Sequence, residues 1–259
     1  MQPIPRASDM LISIITATYD SARTVDDTLR SVHAQSYPDI EHIIVDGGSG
    51  DETLSIVARY PHIGKVVSEP DRGIYDAMNK GIAMATGGVV GILNSDDFYA
   101  HPDVLRKVAA AFDDPGVDAV YGDLLYVDAG NPRRVLRSWK SGRYRPGSFK
   151  WGWMPPHPTF FVRRTLYERY GGFNLALGTC GDYELMLRFV HRHGARLAYL
   201  PEVLVLMRAG GASNESLLAR LQANRNDRLA WSVNGASPYW FTLYLKPMRK
   251  IIQFLRFLR

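Results

Sequence analysis

The chain has 259 residues, 46% of them hydrophobic and 22% charged, with one cysteine. A chain of that length buries a sizeable core without staples, and a single cysteine excludes an internal disulfide framework and any paired-cysteine zinc or redox motif. The net charge of +5 sits in the tail, where Arg228 to Arg259 hold six Lys or Arg and no acid; the rest carries 25 cations against 26 acids, which argues against a nucleic-acid-binding body.

Met1 to Asp9 has no apolar signal core, and no apolar run approaches the ~18 residues a membrane span needs. In the first half, Leu11 to Thr16, His42 to Val45, Ile63 to Val67 and Val89 to Leu93 read as buried strands with little alternation. Between them, Thr24 to Gln35, Glu52 to Tyr60 and Ile74 to Ala85 have helical spacing. This alternation predicts an α/β fold with a mostly parallel sheet and helices on both faces. The second half breaks the rhythm. Val117 to Val127 is a longer β-like run, with Arg133 to Trp139 positioned to pair with it across Asp128 to Pro132. A Trp/Pro loop at Trp151 to Pro158 follows, then a strand at Thr159 to Val162, a helix at Asp182 to His193 and strands at Arg196 to Leu200 and Val203 to Met207. No repeat or linker separates the halves, so one shared sheet is expected.

In parallel sheets, ligands bind at the carboxyl ends of strands. Three such ends carry acids: Asp46, Glu69 with Asp71, and Asp96 with Asp97. Converging there, they repel one another unless they hold a cation or hydrogen-bond a polyhydroxyl or nucleotide ligand. The Gly-rich loop Asp46-Gly-Gly-Ser-Gly-Asp51 matches neither a dinucleotide nor a P-loop nor a nucleophile-elbow spacing. What remains is a loop whose glycines admit close approach, with Asp46 facing a base or ribose. Asn94-Ser-Asp-Asp97, on a tight turn, offers the oxygen ligands that Mg²⁺ or Mn²⁺ prefers. Asp96 is read as the ligand, whereas Asp97 has two readings, a site residue or the cap of the following helix.

Ile14 to Tyr19, Val45 to Thr53, Glu69 to Gly81, Leu93 to Asp97 and Gly181-Asp-Tyr-Glu-Leu185 resemble, in order, the motifs of an inverting family-2 glycosyltransferase of GT-A fold. The similarity runs from Leu11 to Ser213 and is greatest to bacterial enzymes that add single sugars to cell-surface polysaccharides and glycolipids. It implies a glycosyltransferase domain over 1–213, with a nucleotide-binding half at 10–127 and an acceptor half at 128–213. A basic, amphipathic helical extension at 214–259 completes the chain. It further implies that Thr16, Thr18 and Tyr19 form the nucleotide pocket with Asp46, that Asp71 and Arg72 line the donor site, and that Asn94-Ser95-Asp96 replaces the family's DxD. Asp96 would then hold Mn²⁺ or Mg²⁺, and Asp182 would be the catalytic base, preceded by Gly181 where many relatives have Glu. The implied donor is a nucleotide-diphosphate sugar, most often a UDP-sugar, and the acceptor a glycan or lipid-linked sugar.

Several further residues have two readings each. His157 is either structural or a contact to phosphate or acceptor, and Trp153, with Trp151, is either a sugar-stacking rim or core. Arg208, before a Gly-Gly-x-Ser segment, either touches the donor diphosphate or begins a surface turn. His191 and His193 are read as solvated, and Cys180 as a buried inert thiol. Arg133 to Lys150 hold seven Lys or Arg and no acid, a solvated face or a contact to a lipid-linked pyrophosphate. Tyr239 to Leu245 and the apolar face Met248, Ile251, Ile252, Leu255 and Leu258 suit an anionic membrane surface or a protein partner, including a second copy. These features place the enzyme in the cytoplasm, peripheral at the inner face of the membrane. Processive synthesis is disfavoured, since Gln222-Ala-Asn-Arg225-Asn226 lacks QxxRW. Two other functions fit less well: a sugar nucleotidyltransferase, which wants glycines after the first strand where Thr16 to Ala22 has none, and a non-catalytic sugar-nucleotide or glycan-binding module.

Overall fold

A computed structural model describes residues 10–210, 217–246 and 248. β1 (Ile12–Thr18) is buried at all seven positions, Ser13, Thr16 and Thr18 included, as expected where a sheet is covered on both faces. α1 (Val25–His33) buries Val25, Thr28, Leu29 and Val32, the i, i+3, i+4, i+7 stripe of an amphipathic helix. Its first turn carries Asp26 and Asp27 and its last turn Arg30 and His33, complementing the helix dipole at both ends.

β2 (Ile40–Asp46), α2 (Thr53–Val57), β3 (Ile63–Ser68), α3 (Ile74–Met84) and β4 (Val89–Ile92) complete the expected alternation. Beyond them come β5 (Phe98–Tyr99), α4 (Val104–Ala111), β6 (Ala119–Val127), β7 (Val135–Trp139), β8 (Phe161–Arg163), α5 (Arg164–Tyr170), α6 (Gly181–Met186), β9 (Leu197–Arg208) and α7 (Leu217–Val233). All nine strands form one sheet, ordered β3-β2-β1-β4-β8-β6-β9-β5, with β7 on β6. β1, β2, β3, β4, β6 and β9 point one way, while β5, β7 and β8 run against them. The sheet is therefore mostly parallel in direction, and the two halves share it.

Helices cover both faces. One core gathers Ile15, Val45, Met78, Tyr183, Leu187 and Trp231 from β1, β2, α3, the α6 region and α7. The other gathers Ile12, Ile14, Val32, Leu105 and Val108 from β1, α1 and α4. Two expectations change in detail. The paired strands expected at 196–200 and 203–207 are one strand, β9, in which irregular pairing with β6 between Tyr121 and Leu124 absorbs Pro201. The helix expected over 182–193 is α6 continued by a π-helical turn, Leu187–Arg192.

Candidate active site

The loop after β2 organises itself around Asp46. The carboxylate is buried and accepts five hydrogen bonds: on Oδ1 from the Thr18 and Ser49 hydroxyls, on Oδ2 from the Gly48 and Ser49 N–H groups and the Ser68 hydroxyl. Burial pushes its pKa up, but these donors outweigh that and hold it below the usual aspartate value. Gly48 sits at φ +86°, which the turn requires and glycine adopts without strain. At Gly47 a Cβ would lie 2.7 Å from Asp71 Oδ2 and 3.3 Å from the Tyr19 ring, so Tyr19, Gly47 and Asp71 meet at one mouth. Tyr19 is 66% exposed, an open aromatic face at the strand ends.

Thr16 and Thr18 do not line this mouth. Thr16 is fully buried and pairs its hydroxyl with His42 Nε2 at 3.1 Å. Thr18 is spent on Asp46. Arg72 projects outward, its side chain 78% exposed and paired with Asp76 at 2.9 Å.

The loop after β4 is different. Asp97 is fully buried at the start of β5. Its Oδ2 accepts from Asn94 Nδ2 at 2.9 Å, while its Oδ1, like Asn94 Oδ1, is buried with no hydrogen-bond partner. Burial and then the Asp96 charge raise the Asp97 pKa well above normal, and burial raises that of Asp96. Asp97 does not cap α4; that position belongs to Asp103. Ser95 pairs its hydroxyl with Ser21 at 2.9 Å, fixing the turn against the loop after β1.

Two crowded carboxylates and two orphaned oxygens fit a hard divalent cation. Among the described residues no three His, Cys, Asp or Glu converge on a metal position. Arg208 lies beside these acids: it donates to the Asp96 carbonyl at 2.8 Å and to Asp27, and sits 5.0 Å over the Phe98 ring. Gly211 to Ser213, the segment that follows it, lies outside the described residues.

Asp182 opens α6, which presents it at the edge of the crevice. Its Oδ1 accepts from the Tyr75 hydroxyl at 3.2 Å and the Tyr183 N–H at 2.7 Å. Its Oδ2 receives no hydrogen bond from any described residue. Tyr75, on α3, stacks on Phe173 at 5.0 Å, and Phe173 meets His157 edge-on at 5.7 Å. A Cβ at Gly181 would lie 2.9 Å from the Tyr75 ring, so a larger residue there would crowd the tyrosine that holds Asp182 Oδ1. Burial lowers the His157 pKa, against the pull of the Asp182 charge, which favours the neutral imidazole.

Two residues that the sequence did not single out pair beside the site. Tyr126, on β6, has its pKa raised by burial, with Arg137 opposing and the charges of Asp97 and Asp182 adding to the rise. Arg137, opposite on β7, lies 3.6 Å over the Tyr126 ring. Strand pairing delivers it, and the basic run around it hid it. Trp153 is core rather than rim: it is 5% exposed, donates to the Ser141 carbonyl and packs against Tyr121 and Phe149. His191 is half-buried between Phe149 and Trp231 rather than solvated.

The C-terminal extension packs behind α6. Asp227, on α7, accepts from the Cys180 thiol and from Lys246 at 2.8 Å, and Lys246 lies 3.7 Å over the Tyr183 ring. Burial and the Asp227 charge push the Cys180 thiol far up, so it stays protonated and inert. The apolar face from Ile251 to Leu258 lies outside the described residues.

Comparison with known proteins places this architecture. Residues 13–171 match the family "Glycosyl transferase family 2". An uncharacterized glycosyltransferase of Mycobacterium tuberculosis is 34% identical over 186 residues, covering 68% of each chain. A PGL/p-HBAD biosynthesis glycosyltransferase of Mycobacterium bovis is 30% identical over 221 residues, covering 79% of each. Among solved structures, a mannosyltransferase from Pyrobaculum calidifontis in complex with GDP-Man and Mn²⁺ superposes with a TM-score of 0.66 at 23% identity, over 95% of this chain and 71% of that one. TarS of S. aureus in complex with UDP-GlcNAc gives 0.65 at 18%, over 86% and 71%. With the matched region covering more than half of its length and the fold shared, this chain is a glycosyltransferase of family 2.

Proposed function

We propose that the enzyme moves one sugar at a time, with inversion, from a nucleotide-diphosphate sugar to a glycan or lipid-linked acceptor in cell-surface polysaccharide or glycolipid synthesis. UDP is the proposed nucleotide. The observations that carry this reading are a carboxylate with one open oxygen, Asp182, and, after β4, the buried Asp97 with an orphaned oxygen next to Asp96. The relative named for PGL/p-HBAD biosynthesis and the neighbours bound to GDP-Man and UDP-GlcNAc support the substrate class.

Direct displacement at an anomeric carbon needs a base at the acceptor hydroxyl and neutralisation of the departing diphosphate. Asp182 Oδ2 takes the hydroxyl proton while Tyr75 and the Tyr183 N–H hold Oδ1 and fix the carboxylate's orientation. With one base and no second carboxylate acting as nucleophile, displacement inverts the centre. Tyr19 offers its exposed ring to the base, and Asp71 beside Gly47 faces the ribose. Asp46 shapes this pocket through its saturated shell and meets the base only at its edge. Asp96, with Asp97 and Asn94, would hold a divalent cation, which would neutralise diphosphate charge. Arg137, buried beside Tyr126, adds a fixed positive charge to the same region. Among the described residues no helix is long and apolar enough to cross a membrane; the basic tail is proposed to rest on the anionic inner surface.

Asp182→Asn tests the base. Transfer is expected to fall by roughly 10²- to 10⁴-fold, the usual range for a lost general base, while the thermal shift produced by UDP with Mn²⁺ stays at the parent value. An active variant removes Asp182 from the role. Parallel shifts with GDP and dTDP decide the nucleotide: a larger metal-dependent shift with either one overturns UDP.

A further inference from the structure

The turn that carries Asp182 is gripped from behind by the C-terminal extension. Gly181 and Asp182 are bracketed by Cys180 and Tyr183, both buried, and both of these meet one ion pair. Asp227, on α7, is buried and accepts from the Cys180 thiol on Oδ1 at 2.6 Å and from Lys246 Nζ on both oxygens at 2.8 Å. The same ammonium sits 3.7 Å over the Tyr183 ring. Trp231, one turn further along α7, donates its indole N–H to the Tyr183 hydroxyl at 2.9 Å. The Tyr183 N–H in turn donates to Asp182 Oδ1 at 2.7 Å, so this chain of contacts ends on the carboxylate.

We infer that the Asp227–Lys246 pair is a positioning device for Asp182, which makes the C-terminal extension part of the transfer machinery. The inference rests on Asp182 being the base. A buried ion pair adds little stability over apolar side chains of like volume, so the fold alone does not call for one here. What the charges add is direction: a carboxylate bound through both oxygens and an ammonium held over a ring each allow few orientations. That direction is applied to the two residues that bracket Asp182. A general base depends on it, because a misplacement of about 1 Å costs roughly 10²-fold in rate.

The grip continues one residue on, where Glu184 pairs with Arg188 at 3.0 Å and accepts from Asn234, just past α7, at 3.0 Å. Lys246 is itself wedged in place: a Cβ at Gly152 would come within 2.6 Å of its backbone nitrogen. The donor side is braced by the first half of the chain instead. Thr18, Ser49 and Ser68 hold Asp46, and Ser21 holds Ser95. Disturbing the pair therefore reaches the base and spares the nucleotide.

The test uses the full chain with Lys246→Met, which keeps the long stem without the charge, and Lys246→Arg, which keeps the charge over the ring. Native-state hydrogen exchange reads the Tyr183 amide. Lys246→Met is expected to speed its exchange by roughly tenfold or more while the amides of β1 and β2 keep their protection, and Lys246→Arg to restore most of it. Release of UDP from UDP-GlcNAc, with water as acceptor, reads the rate. In Lys246→Met kcat is expected to fall by roughly 10- to 100-fold, with KM and the thermal shift given by UDP and Mn²⁺ at parent values. Because Lys246→Met leaves Asp227 buried without its cation, the pair is also replaced whole, as Asp227→Leu with Lys246→Met. That variant is expected to melt near the parent temperature and still show the faster Tyr183 exchange. Parent-like exchange or a parent-like kcat in Lys246→Met overturns the inference. So does exchange that rises equally across the sheet, the mark of a purely structural role, and so does a loss that Lys246→Arg leaves unrestored. Exchange needs no substrate, so it decides also for an enzyme that spares UDP-GlcNAc. In an Asp182→Asn background Lys246→Met should lower kcat no further; a second drop of full size places its action elsewhere. An Asp182→Asn enzyme at the parent rate removes the base and leaves the exchange result standing, so the two readings fail separately.

Discussion

The ends of β2 and β4, parallel strands on either side of β1, lead to buried aspartates, yet they are solved in opposite ways. Asp46 accepts five hydrogen bonds from within the protein, whereas Asp97 keeps one oxygen with no partner and an acidic neighbour beside it. A buried charge that is fully satisfied works as architecture; one left short is held at a cost that only a ligand removes. The same residue type at equivalent strand ends therefore has two functions, and hydrogen-bond inventory separates them.

The comparison breaks first at Asp46. Asp46→Ala strands the Thr18, Ser49 and Ser68 hydroxyls and two backbone N–H groups, and is expected to cost about 3 kcal/mol, taking unmatched buried donors at roughly 1–3 kcal/mol each with some rescued by water. Urea denaturation reads it, and a parent-like midpoint would show that the loop does not depend on the carboxylate. Asp97→Asn relieves repulsion and removes a buried charge. Unliganded stability is expected to hold or rise by about 1 kcal/mol, while the extra thermal shift that Mn²⁺ adds to UDP disappears. A large destabilisation would make Asp97 a second Asp46.

The smallest effect is in pH, and it sharpens the view of β2 as self-contained. Burial, and secondarily a neighbouring imidazole, lower His42 to about 3 and His62 to about 4, from 6.5. Between those values and 6.5 the unfolded chain binds more protons than the folded one, so stability falls as pH drops through that window. Glu41 is held at about 2: burial opposes this, but Lys65, Ser13 and Thr86 outweigh it. Its contribution is full above 4.5 and is lost only toward pH 2. His42→Asn is expected to flatten the upper stage of a melting-temperature profile and leave the lower one; an unchanged upper stage would move its origin elsewhere.

The first half of the fold was legible because each element announces itself locally. Ile12 to Thr18 is rich in apolar and small residues with little alternation, and Val25, Thr28, Leu29 and Val32 repeat at helical spacing. The second half depends on pairing between distant segments. The two-residue β5 is defined by Leu206 and Val205 on β9, and β9 runs through Pro201 because β6 pairs irregularly with it, which no local pattern shows. The helices α4 and α5 likewise fall where the reading assigned no element.

For the site, the motifs located the loops, and the structure decided which atoms face the crevice. Thr16 and Thr18 turned inward, Trp153 went to the core while Trp151 stayed exposed, and Arg208 bonds Asp27. Tyr75, Tyr126 and Arg137 reach the site from α3, β6 and β7, so their part depends on contacts more than a hundred residues apart in the case of Tyr75 and Asp182.

The bond from Cys180 to Asp227 has a practical consequence. The chain's only thiol is buried and held protonated, so it resists alkylation, and the native sequence already behaves as a cysteine-free background for labelling. A cysteine introduced at an exposed position takes a maleimide dye or spin label as the sole reactive site, without any change beside Asp182.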